Sequence, residues 1–286
     1  MEPFRMYEPE GAPAVFRPEN WVRKFPFLET GFSSRKGGVS APPYSALNCG
    51  LHVNDLAEHV VRNRQLLASS TRLPFEAWTF AEQVHGRQVS VVTRSERGAG
   101  RCSRETALPS ADALVTNERG ICLCALFADC VPLYFFDPVG QVIGLAHAGW
   151  KGSVLKIAVA TVETMAHTFG SRPRDLLAAI GPSIGKCCYE VDEKVIREVD
   201  NVISELKLGA DRSSSGDEPE IYNIRANGKY MLDLQQFNRQ IMIKAGIIPS
   251  NIEVSKLCTA CRPEWFFSHR KEKGKTGRMA AWIGMV

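Results

Sequence analysis

The sequence predicts one α+β (α/β) domain in which mixed β-structure is flanked by helices. Three observations carry this reading. The 286 residues are 44% hydrophobic and 23% charged, the size and composition of one large globular domain. Short β-rich apolar runs crowd the first half, and helical-period segments alternate with strands in the second. No repeat and no strong linker divides the chain.

The elements follow from local pattern. Residues 55–69 carry Leu56, Val60, Val61 and Leu67 near one face, with Asp55 placed as an N-cap, and read as a helix. Four apolar runs, 88–93, 121–127, 131–136 and 141–146, are bounded by Asp, Pro or Gly and read as buried strands. From Gly152 to Phe169 apolar residues recur at helical spacing, with Gly170 to end the helix and Pro173 beyond it. Further helices are expected at 192–208 and at 233–245, the latter capped by Asp233. Residues 176–180, 252–254 and 279–283 read as strands. The polar stretches 94–110 and 211–220 have no periodicity and read as exposed loops.

Charge and cysteine usage narrow the class. Lys and Arg number 35 against 31 Asp and Glu, a net +4, too mild a surplus to point to nucleic acid and still compatible with an anionic small molecule. The best apolar run, Ile121 to Ala128, is stopped by Asp129, far short of the roughly 18 residues of a membrane span. Residues 1–13 mix acids and prolines without an apolar core, unlike a secretory signal. Nine cysteines lie scattered, which favours reduced thiols or metal ligands over a disulfide scaffold. A cytoplasmic protein is therefore expected.

The densest chemical signal runs from Ala128 to Gly152. Cys130 ends one strand, and His147 ends another just before a helix; strand ends are where α/β sheets place their sites. His85, in Glu82-Gln-Val-His-Gly86, also lies next to a strand. Imidazole and thiolate suit Zn²⁺, and three protein ligands with an open position form the catalytic arrangement. The spacings of 45 and 17 residues match no zinc finger, and the same residues could be a small buried thiol and two hydrogen-bonded imidazoles. Asp129 argues for a site, because a carboxylate beside an apolar strand needs a partner or a task.

Other segments offer anion contacts. Lys151 sits at a helix N-terminus, where a cation is disfavoured unless an anion neutralises it. Arg35 and Lys36 lie in a Gly-rich stretch, 32–40, followed by Leu47-Asn-Cys-Gly50. Residues 268–278 are the most basic; Gly274-Lys275-Thr276 imitates the end of a P-loop, but His269 stands where that motif needs its first Gly. Arg278 precedes an apolar strand that would hold it in place. Cys258-Thr-Ala-Cys261 is a lone C-x-x-C. With Cys187-Cys188 it could form a structural zinc site, but a second C-x-x-C is missing, so the pair reads as structural or incidental. The H-x-E and P-C-x-x-C signature of zinc base deaminases is absent.

Together, Glu82-Gln-Val-His-Gly86, Ala128-Asp-Cys-Val-Pro132, His147-Ala-Gly-Trp-Lys-Gly152, Ala179-Ile-Gly-Pro-Ser-Ile-Gly185 and Thr276-Gly-Arg-Met279 resemble the YfiH/YlmD family. Its members were once described as laccase-like polyphenol oxidases and are now regarded as purine nucleoside phosphorylases. The resemblance runs from about Gly31 to the C-terminus, so residues 1–286 are read as one domain with a core of about 31–286 and residues 1–30 as an N-terminal extension. It implies a single domain of mixed sheets flanked by helices and a zinc on His85, Cys130 and His147. It also implies phosphorolysis of adenosine, inosine and S-methyl-5′-thioadenosine, with adenosine deamination as a second activity.

Roles follow as expectations. For deamination, zinc lowers the pKa of a water that attacks purine C6, with Cys130 and His147 in the catalytic centre and Asp129 moving the proton. For phosphorolysis, phosphate attacks the ribose C1′ and needs cations: Arg35, Lys151 and Arg278 are the candidates, with Asn48 and His269 for ribose or base. The expected partners are purine nucleosides and inorganic phosphate, with neither nucleic acid nor membrane. Six His cannot build a multicopper cluster, although Cu²⁺ competes well at such N/S sites. The alternatives are a copper-dependent polyphenol oxidase and a non-catalytic zinc-binding protein.

Overall fold

In a computed structural model of the chain, which describes residues 1–8, 10–208, 220–225 and 228–286, two six-stranded mixed sheets pack face to face between layers of helix. The first runs in the order Phe4–Tyr7, Val15–Pro18, Leu28–Ser33, Met279–Met285, Cys122–Phe127, Trp78–Phe80. The second runs Ile252–Val254, Leu177–Ile180, Val131–Asp137, Val142–Ala148, Ala113–Thr116, Val89–Val91. A small third sheet joins Glu190–Val191, Tyr230–Leu232 and Tyr222–Ile224.

The side-chain period of two explains why the central strands are apolar throughout. In Cys122–Phe127, Leu123, Ala125 and Phe127 enter the layer between the sheets with Tyr134, Phe136, Ile143 and Leu145. Cys122, Cys124 and Leu126 face the other way, against Leu67 and Ala68 of the helix Ala57–Ser69. In the second sheet, Val131, Leu133 and Phe135 turn outwards to the helices Ile157–Phe169, Glu193–Leu206 and Leu234–Lys244. Among the described residues, no helix is long and apolar enough to cross a membrane.

The expected strands form within two residues of their predicted ends, and Asp192 and Asp233 cap their helices by accepting from Val195 N and Gln236 N. Three expectations need correction. The helix expected from Gly152 to Phe169 is two: a short turn Trp150–Val154 and the helix from Ile157, broken at Lys156, which adopts a left-handed backbone with φ 61°. Asp55 is not an N-cap; Leu56 takes that place, and the Asp55 carboxylate accepts instead from Ser40 Oγ and Asn48 Nδ2. Residues 94–110 are not wholly irregular, since a capping box between Thr93 and Glu96 closes one helical turn. The stretch 211–220 lies, except for Glu220, outside the described residues. Residues 1–30 supply an edge strand of the first sheet and the strand next to it, and place Phe4, Phe16 and Trp21 in the layer between the sheets.

Candidate metal centre and adjoining pocket

Strand register assembles the centre at one end of the second sheet. Pro132 pairs with His147, and Ala113 with Ala146. Cys130 and Asp112, each one residue ahead of a strand, therefore arrive beside His147; His147 N donates to Asp112 O at 2.7 Å. His85 comes from the loop between Trp78–Phe80 and Val89–Val91, in a left-handed backbone with φ 59°. Gln83 fixes that loop by pairing both ways with the Leu126 backbone, at 2.8 and 3.1 Å.

The ligand atoms of His85, Cys130 and His147 lie within 4.8 Å of one another, with His147 buried, Cys130 half-buried and His85 exposed. Two imidazoles and a thiolate match the donors Zn²⁺ takes, and the exposed side gives the open position of a catalytic site. Asp112, which the sequence reading missed, completes the arrangement. It accepts from His147 Nδ1 at 2.9 Å and from the backbone N–H of Val84, His85 and Gly86. With Nδ1 held by the carboxylate, Nε2 of His147 is the nitrogen left to face a metal. Gly149 keeps the centre clear: a Cβ there would lie 3.0 Å from Cys130 Sγ and 3.3 Å from His85 Cδ2.

Burial raises the Cys130 thiol pKa, but the charge of His147 and hydrogen bonds from His147 and His85 outweigh it and bring it down to about 6. Burial likewise lowers His147, which the Cys130 thiolate and Asp112 return to about 9. The centre is thus built for a deprotonated sulfur.

It opens into a cavity of about 720 Å³ whose lining carries the cations Arg64, Arg104, Arg270, Arg278 and Lys151 together with His52. Arg64 is fully buried, lies 4.0 Å over the Phe80 ring and donates only to the backbone carbonyls of Cys49, Gly100 and Arg101. Arg104 pairs with Glu82. Arg278 gives Nη1 to the carbonyls of Thr276 and Gly277, which fixes the plane of its guanidinium. His52, open to solvent on one side, is pushed down to about 4 by burial and then by Arg278 and Arg104. A neutral histidine among arginines marks a corner of positive potential.

The residues singled out from the sequence divide. Lys151, His269, Arg278 and Asp129 line the cavity with the three candidate metal ligands. Arg35 and Asn48 do not. Arg35 pairs with Glu272, stacks 4.4 Å over the Phe267 ring and donates to the carbonyls of Ser45, Pro263 and Phe266, so a Gly-rich stretch that resembled a phosphate loop is a strut. Asn48 is fully buried and accepts from Arg278 N at 2.9 Å, so it positions Arg278. Both Asp129 oxygens are taken, one by Thr259 Oγ1 at 2.6 Å and the other by Arg270 N at 2.7 Å. Its buried carboxylate thereby ties two loops to the cavity wall. Of the residues missed, Asp112 carried a signal, since it stands before an apolar strand as Asp129 does. His52 and Arg64 carried none.

Residues 29–286 match the family described as multi-copper polyphenol oxidoreductase laccase. Purine nucleoside phosphorylase YlmD of Bacillus subtilis (strain 168) is 42% identical over 255 residues, 89% of this chain and 87% of that one. Purine nucleoside phosphorylase YfiH of Escherichia coli (strain K12) is 34% identical over 254 residues, 89% of this chain and 92% of that one. The crystal structure of YlmD from Geobacillus stearothermophilus superposes with a TM-score of 0.89 at 38% identity, covering 100% of this chain and 99% of that one.

Proposed function

The chain belongs to the family described as multi-copper polyphenol oxidoreductase laccase, and we propose that it works there as a zinc-dependent purine nucleoside phosphorylase. In this reading it acts on adenosine, inosine and S-methyl-5′-thioadenosine in the cytoplasm, with adenosine deamination as a second activity. The observation that carries the proposal is one cavity whose lining brings together an open His85, Cys130, His147 centre and several arginines. Relatives named purine nucleoside phosphorylases support it. So does the state of the nine cysteines, all unbonded, which suits a reducing compartment.

Phosphorolysis forms a bond from a phosphate oxygen to the ribose C1′ and breaks the bond from C1′ to the purine, which leaves with the electron pair and takes up a proton. Arg278, with Arg104 and Lys151, holds the phosphate; a guanidinium of fixed plane can grip two of its oxygens at once. His269, which lines the cavity, contacts ribose or the departing base in this reading. Asp129 acts as a positioning residue, because both its oxygens already hold the loops of Thr259 and Arg270. A zinc held by His85, Cys130 and His147 supplies Lewis acidity beside these groups. The polyphenol oxidase alternative is disfavoured by the ligand supply: among the described residues, neither group of potential metal ligands holds more than two His.

The test is turnover of inosine and adenosine by zinc-loaded protein with and without phosphate. Release of hypoxanthine or adenine with ribose 1-phosphate, dependent on phosphate, supports the proposal. A protein that releases no base but oxidises phenols when copper-loaded refutes it.

A further inference from the structure

A second group of metal-ligating side chains lies outside the cavity. Cys187, Cys188, Cys258 and Cys261 bring four sulfurs within 4.8 Å of one another, and none of the four lines the pocket. Cys261 Sγ stands 3.5 Å from Cys187 Sγ and 3.4 Å from Cys188 Sγ. None of the four is bonded to another. In the sequence this C-x-x-C has no second one to pair with. The fold supplies the missing half as the adjacent pair Cys187-Cys188, 70 residues upstream and brought alongside by backbone pairing.

From this geometry we infer that the four cysteines form a structural Zn²⁺ site, separate from the His85, Cys130, His147 centre. Zinc–sulfur bonds of about 2.3 Å at tetrahedral angles place sulfurs about 3.8 Å apart, so the observed cluster needs only a small adjustment to close on the ion. A disulfide would join two of these sulfurs and leave two thiols crowded against it; one tetrahedral ion uses all four. The surroundings are those of a thiolate centre. Gly185 N donates to Cys258 Sγ at 3.2 Å, and a Cβ on Gly185 would lie 3.3 Å from Cys187 Sγ, so a glycine lets this backbone approach the sulfurs. Arg262 follows Cys261 directly and offsets the net charge of −2 on a tetrathiolate zinc. Binding exchanges thiol protons for the ion, four protons released per Zn²⁺ when all four thiols start protonated.

The position gives the site its work. Ser183 and Cys258 form a parallel bridge, and Thr259 N donates to Ser183 O at 2.9 Å, so the two cysteine-bearing turns lie side by side. One turn leads from Ile184 to Tyr189, both on the cavity lining. The other carries Thr259, which holds Asp129. Zinc at the four cysteines staples these turns together and so fixes one wall of the pocket from behind.

Metal analysis of the full chain, purified without chelator from zinc-replete cells, tests this independently of any activity. Wild-type protein should carry two zinc ions, Cys130→Ala one, and Cys187→Ser with Cys261→Ser one. Cobalt titrated into metal-free Cys130→Ala should give the intense visible bands of tetrahedral Co²⁺ with thiolate charge-transfer absorption. That measurement stands even if the double serine variant does not fold. A zinc count that falls with Cys130→Ala but is unchanged in the double serine variant overturns the proposal. So does a disulfide among the four found by mass spectrometry in protein without the second zinc. If the count falls by one only in the double serine variant, this site stands and the zinc assignment at the cavity fails.

Discussion

Replacing Asp112 with Asn removes a charge while changing almost no volume, which isolates what the carboxylate does. One oxygen accepts from His147 Nδ1 at 2.9 Å and His85 N at 3.0 Å, the other from Val84 N at 3.2 Å and Gly86 N at 2.7 Å. An asparagine has one acceptor oxygen, so in either orientation its NH₂ faces two donors. Facing Val84 and Gly86, it leaves two backbone N–H groups without acceptors, at about 1–3 kcal/mol each, or about 2–6 kcal/mol of stability. Facing His147, it drives the imidazole proton onto Nε2 and takes away the lone pair a metal needs; losses of outer partners of this kind lower metal affinity roughly 10–100-fold. Competition with a chromogenic chelator measures the affinity, and urea unfolding of the metal-free protein measures the stability. If the Asp112→Asn variant binds zinc within about twofold of wild type and unfolds at the same urea concentration, Asp112 is not the support described here.

Four further outcomes are expected. Gly149→Ala should cost the cavity zinc while the circular dichroism spectrum is retained, since its Cβ would crowd Cys130 Sγ and His85; an unchanged metal count refutes this. Arg278→Lys should raise the KM for phosphate about tenfold or more, the loss of one arm of a charge-assisted pair at about 1.4 kcal/mol or above, and should lower deamination much less; equal loss of both would assign Arg278 to the nucleoside or the fold. The pKa of His52, about 4 in the free protein, should rise when phosphate binds, because an anion favours the charged imidazole; an NMR titration that is identical with and without saturating phosphate contradicts the anion corner. Asp112 is held below its ordinary carboxyl value, burial being outweighed by His147 and the N–H groups of Gly86 and Val84. A group depressed on folding stabilises above its unfolded pKa and loses that contribution as pH falls. Metal-free wild type should therefore lose more stability than Asp112→Asn between about pH 5 and 3, as urea unfolding across that range would show.

What the sequence made legible and what it hid have separate physical causes. Strands such as Cys122–Phe127 and Val131–Asp137 are apolar because both faces are covered, a local pattern that one chain displays on its own. The break at Lys156 is invisible to that pattern, because the apolar spacing continues across it. The grouping of His85, Cys130 and His147 is legible from strand-end positions and a resemblance. Arg35 and Asn48 were misplaced because a Gly-rich basic loop looks the same whether its arginine meets phosphate or the Phe267 ring and the Glu272 carboxylate. The four-cysteine cluster was undervalued for a related reason: parallel bridging between residues 183 and 258 is tertiary information, and no spacing rule contains it.

The strand Met279–Met285 sits inside the first sheet, between Leu28–Ser33 and Cys122–Phe127, and Arg278 directly precedes it. During synthesis the segments on either side of this gap wait for the last seven-residue strand, while the second sheet has all its strands once residue 254 has emerged. Pairing across such a separation makes closure a late step. The proposed phosphate-gripping arginine reaches its place in that same step. A chain interrupted before it carries His85, Cys130 and His147 but lacks the strand that joins the two parts of the first sheet and anchors Arg278.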